Sequence, residues 1–183
     1  MRILLEKLTD ERHRLVIERA PGRREAVECE TRSILVHDLL HYAVESEARL
    51  ATGFWGNLAA GKTLADMNDR SGASMNAPGE RGLRPREPIA GGAGPSQGPE
   101  KKDAAAEMGA IEQLVGALHG STKGIAAGEL VAGIRRFAAS LGATTPDWLT
   151  EPFVIAVQER MRRLQGHWRA TPFGGVMELP WPA

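Results

Sequence analysis

The run from Ile34 to about Leu50 constrains this chain more than any other stretch. It holds no glycine or proline, and at about 100° per residue it is apolar around much of its circumference. Such a helix must be covered on several sides, so it belongs at the centre of a fold with the other elements built around it. Thr31 or Ser33 is chemically fit to cap its start, and Gly53 is the expected stop.

The residues before it carry a different period. Leu15-Val16-Ile17 is a β-branched run, and Glu25 to Glu30 alternates with a period near two. Between them, Ala20-Pro21-Gly22-Arg23 is a type II turn signal, with proline presetting φ and glycine tolerating positive φ at the third position. A first strand near Ile3–Leu8 completes a small antiparallel meander. At the other end, Gly174-Gly175 turns the chain into a short alternating segment closed by Pro180, which suits an edge strand. Its most economical place is beside the N-terminal meander.

From about 68 to 102 the composition shifts to glycine, proline and small polar residues, leaving little apolar surface to offset the entropy of ordering a backbone. This stretch reads as a disordered insertion. Three helices are expected after it. The first, capped by Asp103, covers 104–119 with Ile111, Leu114, Val115 and Leu118 on one stripe. The second covers 124–141, with Ile125, Leu130, Ile134, Phe137 and Leu141 near one stripe. The third is capped by Thr150 or Asp147 and shows Phe153, Val157, Met161 and Leu164. The expected architecture is a single α+β domain over residues 1–183: a small antiparallel sheet packed against four or five helices, interrupted at about 68–102.

Composition excludes several function classes. Basic and acidic residues balance at 23 each, so no global field recruits nucleic acid or an anionic membrane. Cys29 is the only cysteine, which rules out an internal disulfide and cysteine-built zinc sites. Neither a secretory leader nor a membrane-spanning run is apparent, and cytoplasmic residence is the default expectation. The basic cluster of Arg160, Arg162, Arg163, His167 and Arg169 reads as a solvated helix end complementing the macrodipole. Trp148, Trp168 and Trp181 read as core anchors, and Cys29 as a small packed hydrophobe.

Gly56 to Thr63 matches the phosphate-loop spacing GxxxxGK followed by a hydroxyl residue. That chemistry needs a buried strand before the loop and a full helix after it. Here a helix precedes it and the low-complexity segment follows, so nucleotide binding through Lys62 ranks last. The segment reads instead as a short helical turn beneath Phe54 and Trp55.

His37, Asp38, His41 and Glu45 carry more chemistry. On a helix, His37, His41 and Glu45 fall within roughly 80° of one another, with Asp38 just beyond. Two imidazoles at this spacing can hold one divalent ion such as zinc, with Glu45 as a third ligand. A His–carboxylate pair can also do acid–base work without a metal. A histidine on a central helix also serves as a plain packed side chain. The portion His37-Asp38-Leu39-Leu40-His41 resembles the metal-binding motif of the coenzyme-Q assembly family of ubiquinone biosynthesis, a helical family with a further carboxylate. The resemblance spans five of 183 positions. Where that family has a glutamate about twelve residues past the second histidine, this chain has Gly53, so Glu45 or Glu47 would have to substitute.

Two functional expectations from different classes follow. The first is an accessory or interaction protein, binding a protein partner or a second copy of itself through an exposed sheet edge. The second is a small metal-dependent or acid–base enzyme centred on His37, Asp38, His41 and Glu45, with Asp38, His119 or His167 able to complete a ligand set.

Overall fold

The alternation of the first thirty residues becomes three antiparallel strands: β1 (Arg2–Lys7), β2 (Arg12–Arg19) and β3 (Arg23–Glu30). The computed structural model describes residues 1–19, 22–68, 111–112, 114–119, 124–142 and 144–181. The insertion expected at about 68–102 therefore lies almost wholly outside the described residues, as do Asp103, the first half of the helix expected at 104–119, and Ala20-Pro21. Gly22 has φ of +73°, the left-handed value that the third position of the expected turn requires.

The C-terminal segment forms β4 (Val176–Pro180) and pairs antiparallel with β1, giving the order β3-β2-β1-β4. Parity divides the sheet. Leu5 lies opposite Leu15 and Met177, and Ile3 opposite Ile17 and Leu179; all six are buried. The other face carries charges in register. Arg2 pairs with Glu18 and Glu178, and Arg14 with Glu6 and Glu28. Exposed pairs of this kind contribute only about 0–1 kcal/mol each, so the apolar face supplies most of the stability.

Behind the sheet lies α1 (Val36–Ala48), in which every residue from Asp38 to Ser46 is buried. This is the central helix the sequence calls for, with two differences at its ends. Neither Thr31 nor Ser33 caps it. The Glu30 carboxylate accepts from the Arg32 and Ser33 amides at 2.7 and 2.8 Å and from the Ser33 hydroxyl at 2.7 Å, and a π-helical turn, Thr31–Leu35, leads into α1. The Ser33 amide and hydroxyl hold the Glu30 carboxyl down to about 2. The helix also ends before Gly53: Arg49 takes a left-handed conformation, φ +53°, and the Leu50 amide returns to the Glu45 carbonyl.

Two short helices follow, α2 (Phe54–Ala59) and α3 (Leu64–Asn68). A further helix, α4, is described at 111–112 and 114–118, where Ile111, Leu114, Val115 and Leu118 are buried as their spacing requires. In α5 (Ala127–Ser140) the buried residues are Ala127, Leu130 and Val131. Ile125, Phe137 and Leu141, expected on its inner stripe, are instead exposed, so this helix rests on the core over its first turns only. Thr150 caps α6 (Glu151–Ala170) by accepting from the Phe153 amide, and Val154, Val157, Met161 and Trp168 face inward. Trp148 and Trp181 pack partly buried against the core. The Tyr42 hydroxyl donates to the Pro180 carbonyl at 2.6 Å, and Arg160 to Glu47 at 2.6 Å, tying β4 and α6 to α1. Among the described residues no helix is long and apolar enough to cross a membrane.

Arg49 gives a test of the helix end. A side chain in the left-handed region costs about 1–2 kcal/mol, and glycine relieves it. Arg49→Gly should raise the unfolding free energy by about 1 kcal/mol in urea denaturation, with the slope unchanged.

Candidate metal centre

Glu45 lies on the third turn of α1 and is fully buried. Its carboxylate faces the start of α2, where the first backbone N–H groups have no intrahelical acceptor. Oε1 accepts from the Phe54 amide at 2.8 Å; Oε2 accepts from Trp55 at 2.8 Å and from Gly56 at 3.1 Å. A fourth donor is the Nδ1–H of His41, 3.0 Å from Oε1 and one turn earlier on α1. With both oxygens so occupied, Glu45 braces α2 and orients His41 instead of presenting an open ligand position.

Gly53 is what makes room for this. A Cβ at that position would lie 2.2 Å from the Glu45 carboxyl carbon. The residue standing where the resembled family has a glutamate is thus the one that must lack a side chain.

The other ring nitrogen of His41, Nε2, points away from Glu45 to Glu112 on α4, 3.3 Å from Oε2. His37, one turn before His41, brings its own Nε2 within 3.9 Å of the same oxygen, and the two imidazole centroids are 4.6 Å apart. Ligand atoms of His37, His41 and Glu112 all fall within 4.8 Å of one another. Donors around a tetrahedral zinc, with bonds of about 2.0–2.1 Å, are separated by about 3.3 Å. The set is therefore slightly more open than a closed zinc site, and side-chain rotation of His37, which is half-exposed, can close the difference.

The structure thus brings together His37 and His41 of the expected set and adds Glu112, which the sequence did not single out. Asp38 is buried, with Oδ1 3.8 Å from His37 Nδ1, and its charge acts on His13 and Cys29 beneath α1. Burial pushes the Cys29 thiol up to about 11, consistent with an inert packed side chain. His119 lines a groove beside His37, and His167 is exposed near the end of α6.

The segment Gly56–Thr63 is the second part of α2 and the turn that follows it. Its amides are largely committed: Asn57 to Gly53, Ala60 to Gly56, Gly61 to Leu58 and Lys62 to Asn57. The Lys62 ammonium contacts the Asn57 side chain, and Arg19 donates to the Leu58 and Lys62 carbonyls. No phosphate cradle is formed there.

No protein-family model matches the chain, and neither the curated proteins nor the solved structures include one significantly similar to it.

Burial alone would lower the pKa of His41, but the hydrogen bonds it donates to Glu112 and Glu45 outweigh it and hold the imidazole up to about 9, against 6.5 ordinarily. The His41 contact in turn holds the Glu112 carboxyl below its usual range. A raised folded-state value means that the stabilisation is full below about 6.5 and is lost as pH rises through about 9. In chelator-treated protein, the stability gap between wild type and His41→Gln should shrink across that window in urea titrations. Gly53→Ala tests the brace. Gly53 has φ of −67°, which alanine tolerates, so the loss of about 1–3 kcal/mol expected for overpacking reports the clash with Glu45.

Proposed function

We propose that His37, His41 and Glu112 bind one divalent metal ion of the zinc class, and that the chain is a small metal-dependent enzyme acting on a small molecule. The observation that carries this reading is the arrangement around His41. One ring nitrogen is held by a buried carboxylate that serves no other ligand role, and the opposite nitrogen faces a second imidazole and a second carboxylate. A metal-ligating histidine commonly donates its remote N–H to a carboxylate, which fixes the tautomer and raises the basicity of the ligating nitrogen. Purely structural histidines do not need a second imidazole at their open edge.

Three protein ligands leave a coordination position for water or substrate, the pattern of catalytic zinc sites. When bound, such an ion supplies a Lewis acid or a water with pKa near 7. His41 is deeply buried, whereas His37 and Glu112 are about half exposed, so the open side faces solvent at the groove beside His37. The interaction-protein reading draws on one separate observation: β3 is an edge strand of the sheet, and most of its residues are exposed.

Metal-stripped protein titrated with Co²⁺ should bind one ion per chain and develop visible ligand-field absorption. His41→Ala and Glu112→Gln should each abolish the absorption or weaken binding at least tenfold, and Glu45→Gln should weaken it about 10–100-fold. Absence of uptake by folded wild-type protein, or uptake indifferent to these substitutions, would refute the metal centre.

A further inference from the structure

His37 also lines a groove of about 630 Å³, together with Arg32, Ser33, Ile34, Val36, His119 and Gln165. A volume of that order suits a small organic molecule. The chemistry of the lining is one-sided. It contains a guanidinium, two imidazoles, an amide and a hydroxyl, with Ile34 and Val36 as apolar wall, and no carboxylate among the described lining residues. Glu30, the carboxylate nearest Arg32 in sequence, is committed to the amides of Arg32 and Ser33 and to the Ser33 hydroxyl. Arg32 itself is exposed and forms no ion pair with a described residue. Its guanidinium is one of the groups lining the groove.

We propose that this groove receives a small organic oxyanion, a carboxylate or phosphate on an apolar body, with the anion at Arg32 and the reacting end at His37. This deepens the metal-centre reading and rests on it for the role of His37. Guanidinium is suited to the task because its planar fork donates two parallel hydrogen bonds to either oxyanion. Gln165 offers a further donor from α6, and His119 lines the groove just past α4, so separate elements converge on one ligand position.

The test uses calorimetry on metal-free and Co²⁺-loaded full-length protein with three probes: phenyl phosphate, benzoate and uncharged benzyl alcohol. At least one anion should bind saturably and the alcohol should not. Preference between the two anions assigns phosphate or carboxylate, and either supports the proposal. Arg32→Gln should weaken the bound anion at least tenfold, Arg32→Lys should restore part of that loss, and neither should alter the cobalt spectrum. Failure of both anions to bind, binding unchanged by Arg32→Gln, or alcohol bound as tightly as the anions would overturn it. A normal cobalt spectrum in protein that ignores both anions removes this proposal and leaves the metal centre standing. Arg32-dependent anion binding by protein that takes up no cobalt does the reverse.

Discussion

A single buried carboxylate organises the middle of this protein. Glu45 leaves water entirely, and an ionised group can do so only when its oxygens are fully occupied by donors. The three amides at the start of α2 and the Nδ1–H of His41 meet that demand. In return, a helix of only six residues, too short to be stable by itself, gains a cap charged to complement its positive end. The turn from α1 into α2 is therefore set by electrostatics as much as by packing. Arg49 accepts a strained backbone and Gly53 gives up a side chain so that the carboxylate can reach its donors.

The same contact determines what His41 presents outward. With Nδ1 committed to Glu45, the ring cannot flip without stranding a buried acceptor, and Nε2 is left facing His37 and Glu112. Orientation is built from the protein interior toward the surface. The deepest group is the most rigid, and the ligands that must adjust to an ion are the exposed ones. Precision at a site of this kind depends on such a supporting shell more than on the ligands themselves.

Much of the architecture was legible because it follows from periodicity. Alternation located the meander and placed the terminal strand beside it, and the unbroken apolar run marked the buried helix. The ends of that helix were less legible. A glutamate outcompeted the nearby hydroxyl residues as cap, and an arginine took a left-handed turn that composition would give to glycine. At the site, helical spacing placed His37 and His41 on one face, but Glu45 was weighed as a ligand because the helix alone does not show which donors face it. Glu112 carried no local signal. It flanks the apolar stripe of Ile111 and Val115, where a glutamate ordinarily meets solvent, and its partner His41 lies 71 positions away. Only the packing of α4 against α1 joins them.

The pairing of β1 with β4 has a consequence for how the molecule is made. Arg2 lies opposite Pro180, so the sheet joins residues 178 positions apart. The meander can form as soon as Glu30 has been synthesised, but the free edge of β1 must wait for α6 and everything before it. Until then, Ile3 and Leu5 belong to a strand with unpaired backbone groups, the kind of edge that invites pairing with another chain. Contacts of such long sequence separation are slow to close. The vulnerable interval is accordingly the time between emergence of the β1–β2 hairpin and emergence of β4, when a chaperone or a neighbouring nascent chain would find β1 exposed.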